Sequence, residues 1–196
     1  MGLNYSVVVL VPAVEEFQLH ARLRQAGAVE ELPAPFGTCA TLDFPLDDVL
    51  TTYLTRSLEE FGRRSGSKSE TQLLKQFYPN FFPTETTGRV GCWYVDTLRG
   101  EAVDLIYVRL KAATSSMSRL LQHSPAIRKW FLEFSREVHA VAGFLDLEAE
   151  GLEFFCRSGQ PISAALDEEG RAQHATEADR PFVVAIGAEY TRLIDE

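Results

Sequence analysis

The stretch that decides the fold lies near the start of the chain and reads NYSVVVLV (residues 4–11). Its apolar residues are almost continuous, whereas a strand with one side in water would alternate apolar and polar residues. We therefore predict a central β-strand that is buried on both faces. Pro12 follows and suits the first position of a helix, because its missing N–H group has no helical partner there. Gly27 is predicted to end that helix.

The periodicity of hydrophobic residues and the positions of turn residues predict the other elements of the chain. Further strands are predicted at residues 38–44, 89–98, 102–110, 144–147 and 152–157. Further helices are predicted at residues 46–62, 70–77, 116–123, 124–142 and 182–194. The order is a βαβα start followed by two β-hairpins that a pair of helices separates. This pattern predicts a single α+β domain with a mixed or largely antiparallel sheet and helices packed on it.

Three segments interrupt the regular pattern. Residues 63–69 and 163–180 are polar, and we predict that both are mobile loops. The segment FYPNFFP (residues 77–83) is aromatic, and its two prolines predict an irregular conformation. Its aromatic side chains form either a lid over the core, which the usual burial of such residues favours, or an exposed patch for a partner.

Composition limits the classes of function. The 196 residues are 45% hydrophobic and include 13 Phe, which is ample material for a core. The net charge of −9 argues against nucleic-acid binding, because phosphate neutralisation usually needs a basic face. Charge is nevertheless uneven: residues 99–136 hold seven basic and three acidic residues, a local charge of +4. The sequence leaves the oligomeric state open.

The cysteines and the N-terminus bear on location. Cys39, Cys92 and Cys156 lie far apart in apolar segments without metal-site spacing, so we expect three unpaired, buried thiols. No run of apolar residues is long enough to span a membrane. Residues 1–6, MGLNYS, match the loose myristoylation pattern at Gly2, but the strand that begins at once favours a glycine tethered to the sheet. The sequence therefore predicts a cytoplasmic protein that is not attached to a membrane.

The most informative segment for function is a serine-rich strand-to-helix turn. A strand with Arg109 and Lys111 runs into several hydroxyl residues where a helix begins. A helix N-terminus exposes unpaired N–H groups and carries partial positive charge, which suits phosphate or carboxylate. The next helix start, at Ser124, offers a second such end. The candidate anion-binding residues are Lys111, Thr114, Ser115, Ser116, Ser118, Arg119 and Arg128.

The alternative interpretation of this turn is structural. Thr and Ser are the usual capping residues, so the only role of these hydroxyl groups could be to cap the N-terminus of the helix and stabilise the turn before it. The turn is not a P-loop, because the glycines and the Gly-Lys pair of that motif are absent.

No assembled catalytic set is visible in the sequence. The four histidines lie on predicted helices or in the polar segment near the C-terminus, and no G-x-S-x-G motif occurs. Asp146, Glu148 and Glu150 alternate and could offer oxygen ligands to a metal, but such a row is more often the solvated face of a hairpin. We therefore predict no metal and no cofactor.

Two motifs carry a resemblance to other proteins. The start MGLNYS and the segment SSMSRLLQHSPAIRKWF (residues 115–131) resemble an uncharacterised group of proteins with the same opening and a similar SSMS…S-x-x-IRK-x-F segment. The resemblance implies no activity, so no functional residue is carried over.

Three functions follow from these observations. The first is a non-catalytic binding or interaction module with an anion-binding strand-to-helix turn, which we favour because no catalytic set is assembled. The second is an enzyme that acts on a small phosphorylated or carboxylated metabolite, with Ser116 or Cys92 near a histidine or carboxylate. The third is a cytosolic inhibitor or immunity-type protein that binds a basic partner, as the acidic balance allows.

Overall fold

The valine-rich stretch forms a strand in the middle of a large sheet. The computed structural model describes residues 3–34, 37–64, 70–100 and 104–195. Within these ranges the strands are β1 (Ser6–Pro12), β2 (Gly27–Leu32), β3 (Gly37–Pro45), β4 (Thr87–Arg99), β5 (Leu105–Ala112), β6 (Ala142–Asp146), β7 (Leu152–Arg157), β8 (Gln160–Leu166) and β9 (Ala172–Gln173). In space they follow the order β2-β3-β4-β5-β1-β6-β7-β8-β9, and each neighbouring pair is antiparallel.

Strand β1 is buried on both faces, as its sequence predicts. It pairs with β5 on one side and with β6 on the other. Val7 and Val9 belong to one apolar core, whereas Val8 and Leu10 belong to a second core on the opposite face of the sheet. An almost continuous apolar run is needed here because helices cover both sides of the strand.

The helices form two unequal layers. They are α1 (Glu16–Ala26), α2 (Asp48–Arg64), α3 (Glu70–Phe81), α4 (Ser115–His123), α5 (Pro125–Glu137) and α6 (Arg180–Asp195). Helices α1, α2, α4 and α5 bury apolar side chains in the larger core, against which Phe81 of α3 also packs. Helix α6 covers the other face with Val183 and Tyr190. This arrangement confirms the prediction of a single α+β domain.

The two predicted hairpins and the helix pair between them are present. Strands β4 and β5 form the first hairpin, and β6 and β7 form the second. Gly151 precedes β7 with φ +92°, and a Cβ atom there would overlap the carbonyl oxygen of Leu166. The β6–β7 turn therefore requires glycine at this position.

Three strands that were not predicted, β2, β8 and β9, lengthen the sheet. Gly27 does not merely end a helix: it begins β2, and a Cβ atom there would overlap the backbone of Thr41 in β3. Residues 163–166, predicted to start a loop, belong to β8, and residues 172–173 form β9. The prediction of a loop is therefore wrong for these parts of 163–180. Ala164 and Leu166 of β8 are buried in the second core, which the small alanine side chains conceal in the sequence pattern.

The aromatic segment is helical as far as residue 81, so the prediction of an irregular conformation is wrong there. Helix α3 contains Pro79, which removes one backbone donor near the helix end. Phe81 and Phe82 pack against the larger core, whereas Tyr78 is 52% exposed. The lid interpretation therefore fits the last two rings, and Tyr78 remains on the surface.

The cysteines differ from the prediction of three unpaired thiols. Cys39 of β3 and Cys92 of β4 form a disulfide with a Cα–Cα distance of 5.9 Å. The pairing of β3 with β4 brings them together across 53 residues of sequence, a proximity that the sequence spacing does not reveal. Cys156 is a free, buried cysteine.

The first polar loop and the N-terminus lie near the limits of the described residues. Arg63 and Arg64 belong to α2, and residues 65–69 of the predicted first loop lie outside the described ranges, as does Gly2. Leu3 precedes β1, and its backbone is hydrogen-bonded to Ser115 and Ser118 of α4. No helix in the described part of the chain is long and apolar enough to cross a membrane.

Candidate anion-binding groove

The serine-rich turn forms the start of α4, and its hydroxyl groups have different roles. The Thr114 side chain caps the helix by accepting a hydrogen bond from the Met117 amide at 3.2 Å. Thr114 itself has an extended conformation, which is typical of an N-cap residue. One of the candidate hydroxyl groups is therefore a helix cap.

Ser115 and Ser118 fix the N-terminal segment to α4. The Leu3 amide donates to Ser115 Oγ at 2.9 Å, and the Tyr5 amide donates to Ser118 Oγ at 3.0 Å. Ser118 is fully buried and donates in turn to the Leu3 carbonyl oxygen at 3.1 Å. These two hydroxyl groups are already engaged within the protein, which places them in the structural role that the sequence left open.

Helix α5, the second candidate helix start, already holds an anion from the protein itself. Asp47 Oδ2 accepts hydrogen bonds from Ser124 Oγ at 2.6 Å and from the Ala126 amide at 3.1 Å. Its other oxygen, Oδ1, accepts from the Leu50 amide at 2.7 Å and so caps α2. One carboxylate therefore serves the N-termini of two helices.

The pKa of Asp47 reflects this arrangement. Burial by itself raises the pKa, but the hydrogen bonds from Ser124, Leu50 and Ala126 outweigh it and leave the pKa below its ordinary value. The carboxylate is thus ionised near neutral pH and occupies the place that an external anion would take at α5.

Arg128 and Lys111 do not join Ser116 and Arg119. Arg128 forms an ion pair with Glu153 and donates from Nε to the Leu121 carbonyl oxygen at 3.1 Å. Lys111 lies between Leu110 and Ala112, which face the core beneath α4, so strand alternation places Lys111 on the opposite face of the sheet.

Ser116 and Arg119 remain exposed on α4, and they line a groove between α4 and α2. The groove has a volume of about 570 Å³. Arg56 and Tyr53 reach it from α2, so a second helix contributes a guanidinium group that the sequence did not single out. Apolar contact surface comes from Val49, Tyr53 and Leu120.

The groove is lined by two basic and two acidic side chains. Among the described residues, neither Arg56 nor Arg119 forms an ion pair, so both guanidinium groups can bind a ligand. Asp48 and Glu60 also line the groove. Glu60 lies within 3.9 Å of Arg64.

Tyr53 is a neutral member of the groove. Burial raises the pKa of its phenol, and hydrogen bonding with Ser57 and Thr114 only partly opposes that rise. The tyrosine therefore adds a ring and a neutral hydroxyl group beside the two guanidinium groups. Together these residues can hold a phosphate or carboxylate that is attached to an apolar body.

The described residues do not bring the groups of a nucleophilic site into contact. Cys92 is bonded to Cys39. His123 lines the same groove as Ser116, but within the described ranges no hydrogen bond joins Ser116 to a histidine or carboxylate. A histidine within hydrogen-bond reach of the serine would be needed to activate it.

The acidic row at the β6–β7 turn has partners from the protein. Asp146 Oδ2 accepts a hydrogen bond from the Tyr190 hydroxyl at 2.7 Å, and Glu150 accepts one from the Tyr5 hydroxyl at 2.5 Å. Glu148 is exposed. No group of three or more His, Cys, Asp or Glu with the geometry of a metal site occurs among the described residues.

The residues that sequence reasoning missed are Asp47, Tyr53 and Arg56. Helical periodicity could place Asp48, Thr52 and Arg56 on one face of α2, because residues four apart are neighbours on a helix. No local signal shows that this face lies near α4, since tertiary packing alone brings residues 56 and 119 to the same groove.

Comparison of the chain with protein-family models, with curated proteins and with solved structures finds no match. No family is therefore assigned, and the resemblance carried by residues 1–6 and 115–131 stays a prediction.

Proposed function

We propose that this protein is a non-catalytic binding module whose α2–α4 groove accepts a small organic anion. Arg56, Arg119 and Ser116 hold the phosphate or carboxylate group of this ligand. The observation that carries the proposal is the convergence of two arginines from two helices on one groove, without an ion-pair partner among the described residues.

The size and lining of the groove support an organic ligand over a bare inorganic anion. Its volume of about 570 Å³ lies within the usual range for small-molecule sites. Val49, Tyr53 and Leu120 offer apolar surface to the body of the ligand. Because Asp48 and Glu60 would repel a polyanion, a single phosphate or carboxylate group fits the groove better than a polyphosphate.

Calorimetric titration with phenyl phosphate, and separately with inorganic phosphate, tests this function. Loss of a hydrogen bond to a charged group costs about 1.5–3 kcal/mol, so Arg56→Ala and Arg119→Ala should each weaken phenyl phosphate binding by about tenfold to a hundredfold. Lys129→Ala is the matched control, because Lys129 is an exposed cation on α5 that pairs with Glu133 outside the groove. Unchanged affinity in a combined Ser116→Ala and Arg119→Ala variant would refute the proposal.

An enzyme acting on a phosphorylated or carboxylated metabolite is the second candidate, because Ser116 and His123 line the same groove. The test is hydrolysis of p-nitrophenyl phosphate and p-nitrophenyl acetate. Turnover that is lost in both Ser116→Ala and His123→Ala would favour the enzyme. Binding without turnover favours the module.

The proposed location is the cytoplasm, as the sequence pattern predicts. The Cys39–Cys92 disulfide is the observation that speaks against this location, because disulfides persist mainly in oxidising compartments. Alkylation of the thiols in intact cells, followed by mass spectrometry, should find this pair reduced if the protein is cytoplasmic. A fully oxidised pair would contradict that location.

A further inference from the structure

Two large apolar side chains are exposed to solvent, one in the 3-10 turn that precedes α1 and one in the first turn of α1. Val14 is 87% exposed and Phe17 is 82% exposed, and they lie three positions apart in the sequence. The same helix buries Leu19 and Leu23 in the larger core, so its inner face is already used. Val14 and Phe17 therefore contribute little to burial within one chain, and they form an apolar patch that a partner can cover.

A recess lies directly beside these side chains. It has a volume of about 790 Å³, and Phe17, Ala13 and Val95 line it. Glu31 of β2 and Thr38 of β3 line its other side. Glu31 is paired with Thr38, and Thr38 with Val95, so these residues lie side by side on one face of the sheet, next to β2, its outermost described strand.

Glu16, Arg24 and Glu31 are the charged residues of the described part of the recess, and Glu16 already pairs with Arg99. Arg24 forms no ion pair with any described residue, and Glu31 accepts hydrogen bonds from the Thr38 hydroxyl. A uniformly basic partner would face Arg24 with a like charge. A second copy of the chain, turned about a two-fold axis, would instead bring Arg24 of each copy toward Glu31 of the other.

We propose that this patch, defined as Val14, Phe17, Arg24 and Glu31, is a two-fold interface with a second copy of this chain. Phe17 of each copy enters the recess of the other, and Arg24 pairs with Glu31 across the axis. The interface lies on α1 and β2 and is separate from the α2–α4 groove, so it stands independently of the proposed ligand.

Sedimentation equilibrium over a range of protein concentrations tests the interface. The wild-type chain should show a reversible monomer–dimer equilibrium. Phe17→Ala should weaken it by about a thousandfold, because each dimer loses two central aromatic contacts, each worth about thirtyfold. Because Phe17 is exposed in the monomer, the variant should keep the wild-type fold, which circular dichroism checks. Tyr78→Ala, which truncates an exposed aromatic residue on α3, should leave the dimer unchanged.

A charge exchange tests the pairing itself. Arg24→Glu should weaken the dimer, and the double variant Arg24→Glu with Glu31→Arg should restore it, because the two changes recreate opposite charges across the axis. A wild-type chain that stays monomeric at high concentration would overturn the proposal. A dimer that survives Phe17→Ala, or a double variant without rescue, would also overturn it.

Discussion

Replacement of Asp47 by alanine should destabilise the protein far more than the same change at its neighbour Asp48. Asp47 caps α2 through the Leu50 amide and also accepts hydrogen bonds from Ser124 and Ala126 at the start of α5. Asp48 is exposed in the first turn of α2. Asp48→Ala is therefore a matched control that removes a carboxylate from the same helix start.

The magnitude follows from the hydrogen bonds that are lost. A lost N-cap costs about 1 kcal/mol, and a lost hydrogen bond to a charged group costs about 1.5–3 kcal/mol. Because Asp47 is only partly buried, water replaces some of this, and we expect a loss of about 2–3 kcal/mol in the free energy of unfolding. For a chain of this size that corresponds to a fall of about 4–12 °C in Tm. Asp48→Ala should cost at most about 1 kcal/mol.

Urea denaturation at several pH values checks both the size and the origin of the effect. The folded-state pKa of Asp47 lies below its ordinary value of 3.8, so its stabilisation is present above that pH and is lost as the pH falls through the folded-state pKa. The difference between wild type and Asp47→Ala should therefore be constant from neutral pH to about pH 5 and shrink below about pH 4. A loss below about 0.5 kcal/mol, or one equal to that of Asp48→Ala, would refute this account.

Two further predictions concern the sheet. The Cys39–Cys92 disulfide closes a long loop between two strands. The free energy of unfolding of the oxidised wild-type protein should therefore be about 4 kcal/mol higher than that of the double variant Cys39→Ser with Cys92→Ser. Dithiothreitol should remove this difference, whereas Cys156→Ser should not affect the response to dithiothreitol. Gly151→Ala should cost more in thermal unfolding than Gly170→Ala, because both glycines have positive φ but only Gly151 lies against the backbone of another segment. Equal costs would contradict the close approach at Gly151.

The elements with strong local signals could be predicted from the sequence. The apolar residues of β1 are almost continuous, and this pattern correctly predicts burial on both faces. Ser124 followed by Pro125 correctly predicts the start of α5, because a capping residue is followed by proline at the first helical position. The weak elements could not be predicted in this way. Strand β8 contains small alanine side chains, which give little hydrophobic signal. Strand β2 begins at a glycine that lies close to β3, and this contact depends on tertiary structure.

The candidate site was predicted only in part, for a related reason. Ser116 and Arg119 are found at a surface groove, but their partners Arg56 and Tyr53 come from a helix that is distant in the sequence. A local pattern shows which hydroxyl groups are near a helix start. It does not show that the N-terminal segment occupies Ser115 and Ser118, or that Asp47 occupies the start of α5.

The most direct test of the central claim, the binding of an organic anion in the α2–α4 groove, is a ¹⁵N-HSQC titration with phenyl phosphate. The amide signals of residues 115–120 and 52–57 should shift together along one saturable binding curve. Signals of residues 126–128, where Asp47 already fills the helix start, should not shift. The account would be contradicted if residues 115–120 and 52–57 showed no shifts. It would also be contradicted if the double variant Arg56→Ala with Arg119→Ala showed the same shifts as the wild-type protein.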